Sequence, residues 1–143
     1  MNSRVLLTIA AAFVLTGCRS DALRPSEATP VSQNLIHAPS LHRGAASAIA
    51  TITRDSGGPP TSTRWLIYLD GQVIARIGKA ETFTVNAPVG QHILGVEPDA
   101  KIKVLQVINT DQVFNAGHHY YFRVMYTGSE YRIQRTMPSG DTR

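Results

Sequence analysis

Short apolar runs separated by turn-forming residues recur from Ala45 onward, and they constrain the fold more than any other feature of this sequence. The clearest case is Asp70-Gly71, which stands between two β-type runs. Asp-Gly between strands favours a type I′ turn, in which both central residues have positive φ. No segment keeps a 3.6-residue apolar period over a helix-sized stretch. The spacing therefore predicts an all-β fold, either an antiparallel β-sandwich or a small barrel.

Alternation within the runs predicts which side chains form the core. Trp65 and Ile67 share one face of their run, and Phe83 and Val85 share a face of theirs. The turns that matter most for the path of the chain involve Asp70, Gly71, Pro88, Gly90 and Gly117. The predicted strands are Ala48–Arg54, Arg64–Leu69, Gln72–Ile77, Glu81–Val85, Gln91–Val96, Lys101–Asn109, His118–Tyr126 and Tyr131–Arg135.

The first eighteen residues are typical of an export signal. Arg4 supplies a positive start, and the apolar run Val5–Leu15 is shorter than the roughly 20 residues of a membrane span. The motif that follows, Leu15-Thr16-Gly17-Cys18, resembles the lipobox of bacterial lipoproteins. That resemblance implies cleavage before Cys18, a diacylglycerol group on its thiol and an N-acyl lipid on its new amino group. No other cofactor is expected.

A lipid anchor predicts attachment to the cell membrane. Arg19 follows the cysteine, where many inner-membrane lipoproteins carry Asp. This favours the outer membrane, facing the periplasm, if the cell has two membranes. Residues 1–17 are then the signal, 18–44 the lipidated cysteine and linker, 45–136 the domain, and 137–143 a loose tail.

The linker prediction depends on proline. Residues 19–43 contain Pro25, Pro30 and Pro39 among small polar residues, so neither helical nor strand periodicity persists. A flexible chain of this length has a reach of roughly 25–30 Å. The apolar residues Leu35, Ile36 and Leu41 leave a second interpretation open, in which this stretch pairs with or docks on the domain.

Charge and cysteine content exclude other classes of protein. Cys18 is the only cysteine, so a disulfide framework within the chain is impossible. The formal charge of +4, or +3 once Arg4 is removed with the signal (13 basic against 10 acidic residues), is small and not clustered. Nucleic-acid binding is therefore not expected, because its electrostatic footprint is missing.

Three segments of the domain together resemble the PEGA-like β-sandwich domains, closest to those of small envelope lipoproteins of unknown function. The segments are residues 68–75 (YLDGQVIA), residues 83–92, which contain a proline–glycine turn leading to a histidine, and residues 116–124 (AGHHYYFRV). The central turn departs from the family pattern, since this chain has Pro88-Val89-Gly90 there. The resemblance implies a sandwich and a cell-envelope setting, and it implies no activity.

Catalytic and metal chemistry find little support in the sequence. There is no Gly-x-Ser-x-Gly elbow, and Asp70, Asp99 and Asp111 stand at apparent turns, where Asp bonds to local backbone. His118 and His119 are adjacent in a predicted strand, so they point to opposite faces and cannot easily share a metal ion. We predict no enzyme and no metal site, and we assign His92 to a hydrogen bond that fixes a turn.

Outward-facing aromatic residues are the remaining candidates for contact with a partner. Tyr68 and Tyr121 are the best of them, and the last strand or Ala48–Arg54 could offer an open edge for strand addition. The sequence thus predicts a lipid-anchored binding or scaffold module with an envelope protein as partner. The alternatives are an accessory lipoprotein of a secretion, conjugation or pilus assembly, and a peptidoglycan- or glycan-binding module.

Overall fold

The computed structural model describes residues 21–37, 46–58, 62–100 and 107–138. Two short 3-10 helices, Pro25–Glu27 and Gln33–Leu35, precede the main body of strands. The described strands are β1 (Thr29–Pro30), β2 (Ser47–Arg54), β3 (Trp65–Leu69), β4 (Gln72–Ile77), β5 (Glu81–Pro88), β6 (Gly90–Pro98), β7 (Ile108–Phe114), β8 (His119–Tyr126) and β9 (Tyr131–Thr136).

The strands form two sheets, and the predicted all-β sandwich is confirmed. The first sheet has the order β1-β5-β2-β8-β9, and the second has the order β4-β3-β6-β7. Most pairs are antiparallel, but β2 runs parallel to β8 and β1 runs parallel to β5. Within the described ranges, no helix is both long and apolar enough to cross a membrane.

The core lies between the sheets, and the alternation of each strand supplies it. Trp65, Ile67, Phe83 and Val85 are all buried there, as predicted. Phe114 and Phe122 meet edge to face with ring centroids 6.1 Å apart, which joins the two sheets through aromatic packing.

The predicted hairpin turn is also confirmed. Asp70 has φ +51° and Gly71 has φ +77°, so both central residues lie in the left-handed region that a type I′ turn requires. Gly90, with φ +126°, begins β6 directly after Pro88 and Val89, and Gly117, with φ +73°, turns the chain into β8. Each of the predicted turn residues therefore stands at a change of direction.

The linker prediction is corrected over residues 21–37, which pack on the sandwich. Asp21 and Ser56 exchange backbone hydrogen bonds of 2.8 and 3.2 Å. Val31 is buried in the core, while Leu35 and Ile36 pack against it. The prolines interrupt helices and long strands, as expected, but they do not prevent the apolar side chains between them from covering a sheet edge.

The seventh strand begins later than predicted. The structure describes it from Ile108 to Phe114, whereas the alternation favoured Lys101–Asn109. Residues 101–106 lie outside the described ranges, as do Cys18 with its lipobox, Pro39, Leu41 and residues 139–143 of the expected tail.

Candidate binding cleft on the second sheet

A cleft of about 330 Å³ lies on the outer face of the second sheet. Strand alternation places Tyr68 of β3, Gly95 of β6 and Asn109 of β7 side by side on this face, because Gly95 is registered with both of the others. The residues that line the cleft are Tyr68, Gly71, Ile93, Val107 and Asn109.

Three of the residues that line the cleft pack closely over Gly95, which has no side chain. A Cβ atom at this position would lie 2.6 Å from Asn109 Oδ1, 2.9 Å from Val107 Cγ1 and 3.3 Å from Tyr68 Cβ. These are closer than ordinary carbon contacts, so the neighbouring side chains lean into the space that glycine leaves. Glycine inside a strand often marks such a close approach.

Tyr68, predicted as a partner contact, lines the cleft with its phenol ring and is half-buried. Its hydroxyl donates a hydrogen bond to Oε1 of Glu97, a carboxylate that is buried. Burial, together with this bond to a carboxylate, raises the pKa of Tyr68 to about 12. The hydroxyl is thus occupied, and the ring is the part of Tyr68 that a ligand can contact.

Apolar side chains stand around the cleft and along the neighbouring edge. Ile93 is 46% exposed, Val107 37% and Val113 55%. Val113 lies on the same outer face as Ile93, because both belong to the alternate set of positions that faces away from the core. Exposed apolar side chains gathered on one face are typical of an interaction surface.

The Asp70-Gly71 hairpin closes one end of the cleft and is held by His92. The Nδ1 atom of His92 lies 2.6 Å from Asp70 Oδ2, and the Ile93 N–H donates to Asp70 Oδ1 at 2.9 Å. Partial burial raises the pKa of Asp70, but the Ile93 and His92 contacts outweigh it, so the pKa lies below its ordinary value. His92 has the predicted turn-fixing role, although the turn it fixes is the hairpin at Asp70.

The Asp70–His92 pair has two of the three parts of a hydrolytic triad. The second ring nitrogen of His92, Nε2, is buried and has no hydrogen-bond partner among the described residues. A triad needs a nucleophile within hydrogen-bond reach of that atom. The described part of the chain also contains no group of three His, Cys, Asp or Glu side chains that could hold a metal ion.

Tyr121, the other predicted contact, lies on the opposite side of the molecule, on the outer face of the first sheet. Its ring stacks on His119 with centroids 4.2 Å apart. His119 Nε2 lies 2.8 Å from Thr51 Oγ1, which also lies 2.8 Å from Thr84 Oγ1. Tyr68 and Tyr121 therefore cannot belong to one site.

A charged cluster at one end of the sandwich was missed by the sequence analysis. Arg54 is 1% exposed, its guanidinium lies 4.0 Å over the Trp65 ring, and it donates to the Thr63 carbonyl at 2.7 Å. Desolvation by burial lowers the pKa of Arg54 to about 10, although Glu81 opposes the shift. One signal was available: Arg54 continues the inward-facing set of β2, where a charge must find partners.

The residue after Arg54 completes the cluster. Asp55 is 1% exposed and accepts two hydrogen bonds from Arg123, at 2.7 and 2.6 Å. Asp55 directly follows the predicted strand Ala48–Arg54, and no local pattern pairs it with a residue 68 positions away. The cluster binds strand ends together, since it links β2, β8 and the turn before β3.

One predicted open edge is wrong. Ala48–Arg54 belongs to β2, which pairs with β5 on one side and β8 on the other, so it is central. The last strand, β9, does lie at an edge of the described sheet. The sequence could not order the strands, because alternation is the same in central and edge strands of a half-buried sheet.

No family model, curated protein or solved structure matches this chain. The resemblance to PEGA-like domains therefore stays a prediction, and the geometry of the described residues is what a functional proposal can be built on.

Proposed function

We propose that this chain is a lipid-anchored binding or scaffold module of the bacterial cell envelope, without catalytic activity. The observation that carries the proposal is the cleft beside Tyr68, with Ile93 and Val107 exposed at its rim. Its volume of about 330 Å³ falls within the range of binding pockets, and its walls mix apolar surface with an amide and an aromatic ring.

Several ionisable side chains are engaged in contacts within the fold, which supports a role other than catalysis. Glu97 accepts from Tyr68, His92 is held by Asp70, and His119 is bonded to Thr51. Each contact fixes a strand or a turn. A general base needs an accessible atom near a substrate, and the free nitrogen of His92 is buried.

The lipid anchor is proposed from the motif Leu15-Thr16-Gly17-Cys18. The fold then limits how far the sandwich can lie from Cys18. Asp21 is bonded to Ser56, so only two residues separate the lipidated cysteine from the sandwich. Even a fully extended chain would then hold Asp21 within about 11 Å of Cys18. The domain is expected to sit at the membrane surface, and the linker does not extend its reach.

This arrangement leaves the cleft accessible from the side. Ser56 follows β2, at the same end of the sandwich as the start of β3, while the Asp70-Gly71 hairpin follows the end of β3. The hairpin that closes the cleft therefore points away from the anchored end. A partner in the periplasm can reach the outer face of the second sheet without displacing lipid.

The proposal is tested by photo-crosslinking in intact cells. A benzoylphenylalanine is placed at Ile93, at the rim of the cleft, and the matched control is placed at Thr84, which is exposed on the first sheet. We expect a defined protein adduct from position 93 and none from position 84. Capture of a large complex in fixed stoichiometry would identify the chain as an accessory part of a secretion, conjugation or pilus assembly.

The anchor is tested separately. Radiolabelled palmitate should be incorporated into the wild-type chain and not into Cys18→Ala, and the adduct at position 93 should weaken when anchoring is lost. Labelling that persists in Cys18→Ala would contradict the lipid anchor. Equal adducts from positions 93 and 84 would contradict the cleft as the binding site.

Glycan binding is a second candidate, favoured by the stacked His119–Tyr121 pair beside the Thr51 and Thr84 hydroxyls. Aromatic rings can stack on sugars, and hydroxyls can bond to them. Cosedimentation of the full-length chain with purified cell wall, lost in Tyr121→Ala and kept in Gly95→Ala, would support this candidate over the cleft.

A further inference from the structure

Three of the four outer edges of the two described sheets are covered or charged. β1 lies outside β5, and its Pro30 has no N–H to offer. The free side of β4 is occupied by residues 36–37, through a β-bridge at Ala75. β9 carries Arg132 and Arg135. Natural sheets use prolines, charges and covering segments of this kind to prevent pairing with other chains.

The fourth edge, β7, is not covered by any other described segment, and Asp111 is its one charged side chain. It is seven residues long, INTDQVF, with no proline, lysine or arginine. It pairs with β6 over its whole length and with no second strand of the described ranges. An edge of this length without positive charge is a template for strand addition.

The alternation of backbone bonds shows which groups face this edge. The Asp70 N–H donates to the Ile93 carbonyl, and the Ile93 N–H donates to Asp70 Oδ1, so Ile93 turns its backbone toward β3. In an antiparallel ladder, the partner of such a residue also turns its backbone outward. Asp111 is that partner, and Asn109 and Val113, two positions away on either side, follow it.

One contact agrees with this assignment. The carbonyl of Val113 accepts a hydrogen bond of 2.6 Å from Gln112 Nε2, a side chain of the same strand. A backbone carbonyl within the β6–β7 ladder would be bonded to β6, whereas an outward carbonyl is open to a side-chain donor. An added strand would replace this local donor with its own N–H.

The side chains beside the edge indicate the chemistry of the added strand. On the outer face β7 exposes Asn109, Asp111 and Val113, and Ile93 of β6 lies directly opposite Asp111. A second copy of this chain is disfavoured as the occupant, because pairing two β7 strands antiparallel over their full length sets Asp111 opposite Asp111. An added strand pairs with β7, so a basic side chain opposite Asp111 has one apolar neighbour opposite Val113 and another opposite Asn109, diagonal to the exposed Val107.

We infer that β7 is the acceptor for β-strand addition by an extended segment of a partner protein, with apolar–basic–apolar side chains facing the outer surface. The added strand extends the second sheet, and its apolar side chains continue the surface formed by Val107 and Val113. This inference deepens the proposed function and rests on it, because it names the partner chemistry of the same face.

The test uses a heptapeptide probe and the 15N-labelled full-length chain in detergent. The probe has valine, lysine and valine alternating with threonine, so that the lysine comes opposite Asp111. We expect slower amide hydrogen exchange at Asn109, Asp111 and Val113 when the probe is added, with a Kd of about 1 mM or tighter. Exchange at Thr110 and Gln112, whose N–H groups face β6, should change little.

Two probe controls and one pair of variants isolate strand addition. A probe N-methylated on the residues that face the edge cannot form the ladder and should not bind, and a probe with glutamate in place of lysine should bind about tenfold more weakly. Asn109→Pro removes an outward N–H, which an edge strand tolerates, and should abolish protection. Asn109→Thr keeps that N–H and should bind the probe like the wild type.

Three results would overturn the inference. The first is binding of the N-methylated probe as tight as that of the unmodified probe. The second is unchanged amide exchange at all probe concentrations up to several times 1 mM. The third is slow amide exchange at Asn109, Asp111 and Val113 in the chain without any probe. If that slow exchange without probe depends on protein concentration, a second copy occupies the edge. If it does not, the chain covers its own edge. An adduct at position 93 that survives Asn109→Pro would preserve the proposed function while removing strand addition.

Discussion

The two outer faces of the sandwich follow the same alternation and reach opposite states. On the first sheet, Thr51 and Thr53 point outward, yet Thr53 is only 2% exposed, because neighbouring hydroxyls and the Asp55–Arg123 pair cover them. On the second sheet, the central outward position is Gly95, and the side chains around it stay exposed or open a cleft.

An outward position in a strand therefore does not by itself make a binding surface. On the first face Thr51 and Thr53 are buried, since the polar side chains of β5, β2 and β8 bond to one another, whereas Ile49 stays 41% exposed. The second face carries the exposed side chains of Ile93, Val107 and Val113 and an open cleft of about 330 Å³. Changes that open the first face should cost stability, whereas changes that fill the second should cost binding.

The largest effect is expected at the ion pair of the first face. Asp55→Ala leaves Arg123 without its bidentate partner at a buried site, which should lower the free energy of unfolding by about 3 kcal/mol. Urea denaturation measures this change. The exposed pair Arg132–Glu130 provides the control, since Glu130→Ala should change stability by less than about 0.5 kcal/mol. Equal effects at the two positions would show that Asp55 does not close the first face.

Removal of the Tyr68 hydroxyl comes next. Tyr68→Phe leaves the buried Glu97 carboxylate without this donor and should cost about 1–2 kcal/mol in urea denaturation at neutral pH. The matched control is Tyr121→Phe, whose hydroxyl lies 3.2 Å from the exposed His119, and it should cost less.

The same variant has a pH signature. Because folding raises the pKa of Tyr68 from near 10 to about 12, the neutral phenol stabilises the fold fully below pH 10, and the contribution is lost as pH rises toward 12. The stability difference between wild type and Tyr68→Phe should therefore narrow across that window. In an absorbance titration at alkaline pH, the wild type should show a tyrosine that ionises near pH 12, and Tyr68→Phe should lack it. A tyrosine that still ionises near pH 12 in the variant would contradict the raised pKa of Tyr68.

A smaller effect is expected at Thr51. Thr51→Val keeps the shape of the side chain and removes the hydroxyl that contacts Thr84 and His119, at a cost of about 1 kcal/mol. Thr51→Ser retains the hydroxyl and should recover part of that loss. If thermal unfolding shows no difference between Val and Ser, then the polar network does not hold the first face together.

The smallest effect on stability is expected at Gly95, where the effect on binding should be large. Gly95→Ala places a Cβ atom against Asn109 and Val107, whose side chains can shift, so unfolding should change by about 0.5 kcal/mol or less. Crosslinking from position 93 should fall strongly. Thr84→Val on the first face is the control and should leave the adduct intact.

Much of the fold followed from local patterns. Trp65 and Phe83 were assigned to the core by alternation, and Asp70-Gly71 to a hairpin by the φ values that only some residues accept. The packing of residues 21–37 was only an alternative to the flexible linker, because prolines describe the local backbone and say nothing of which edge a segment covers. The position of β2 at the centre of its sheet was missed for a similar reason, since pairing is a non-local property.

The sequence predicted one contact residue of the candidate cleft, Tyr68, but not the cleft itself. Tyr68 was identified as an outward aromatic residue, but its bond to Glu97 and its place beside Gly95 depend on strands that are far apart in the chain. Tyr121, chosen on the same grounds, lies on the other face. Outward alternation describes both residues equally, and only the sheet in which each strand lies separates them.

The strand faces, the Asp70-Gly71 hairpin and the buried aromatic core could be predicted from the sequence, because they depend on the side-chain period and on local φ preferences. Strand order and register place β7 at an edge of the described second sheet, bring Asp55 to Arg123 and set Gly95 between Tyr68 and Asn109. These contacts could not be predicted, because strand order and register bring together residues that are far apart in the chain, and no local sequence pattern indicates that they touch.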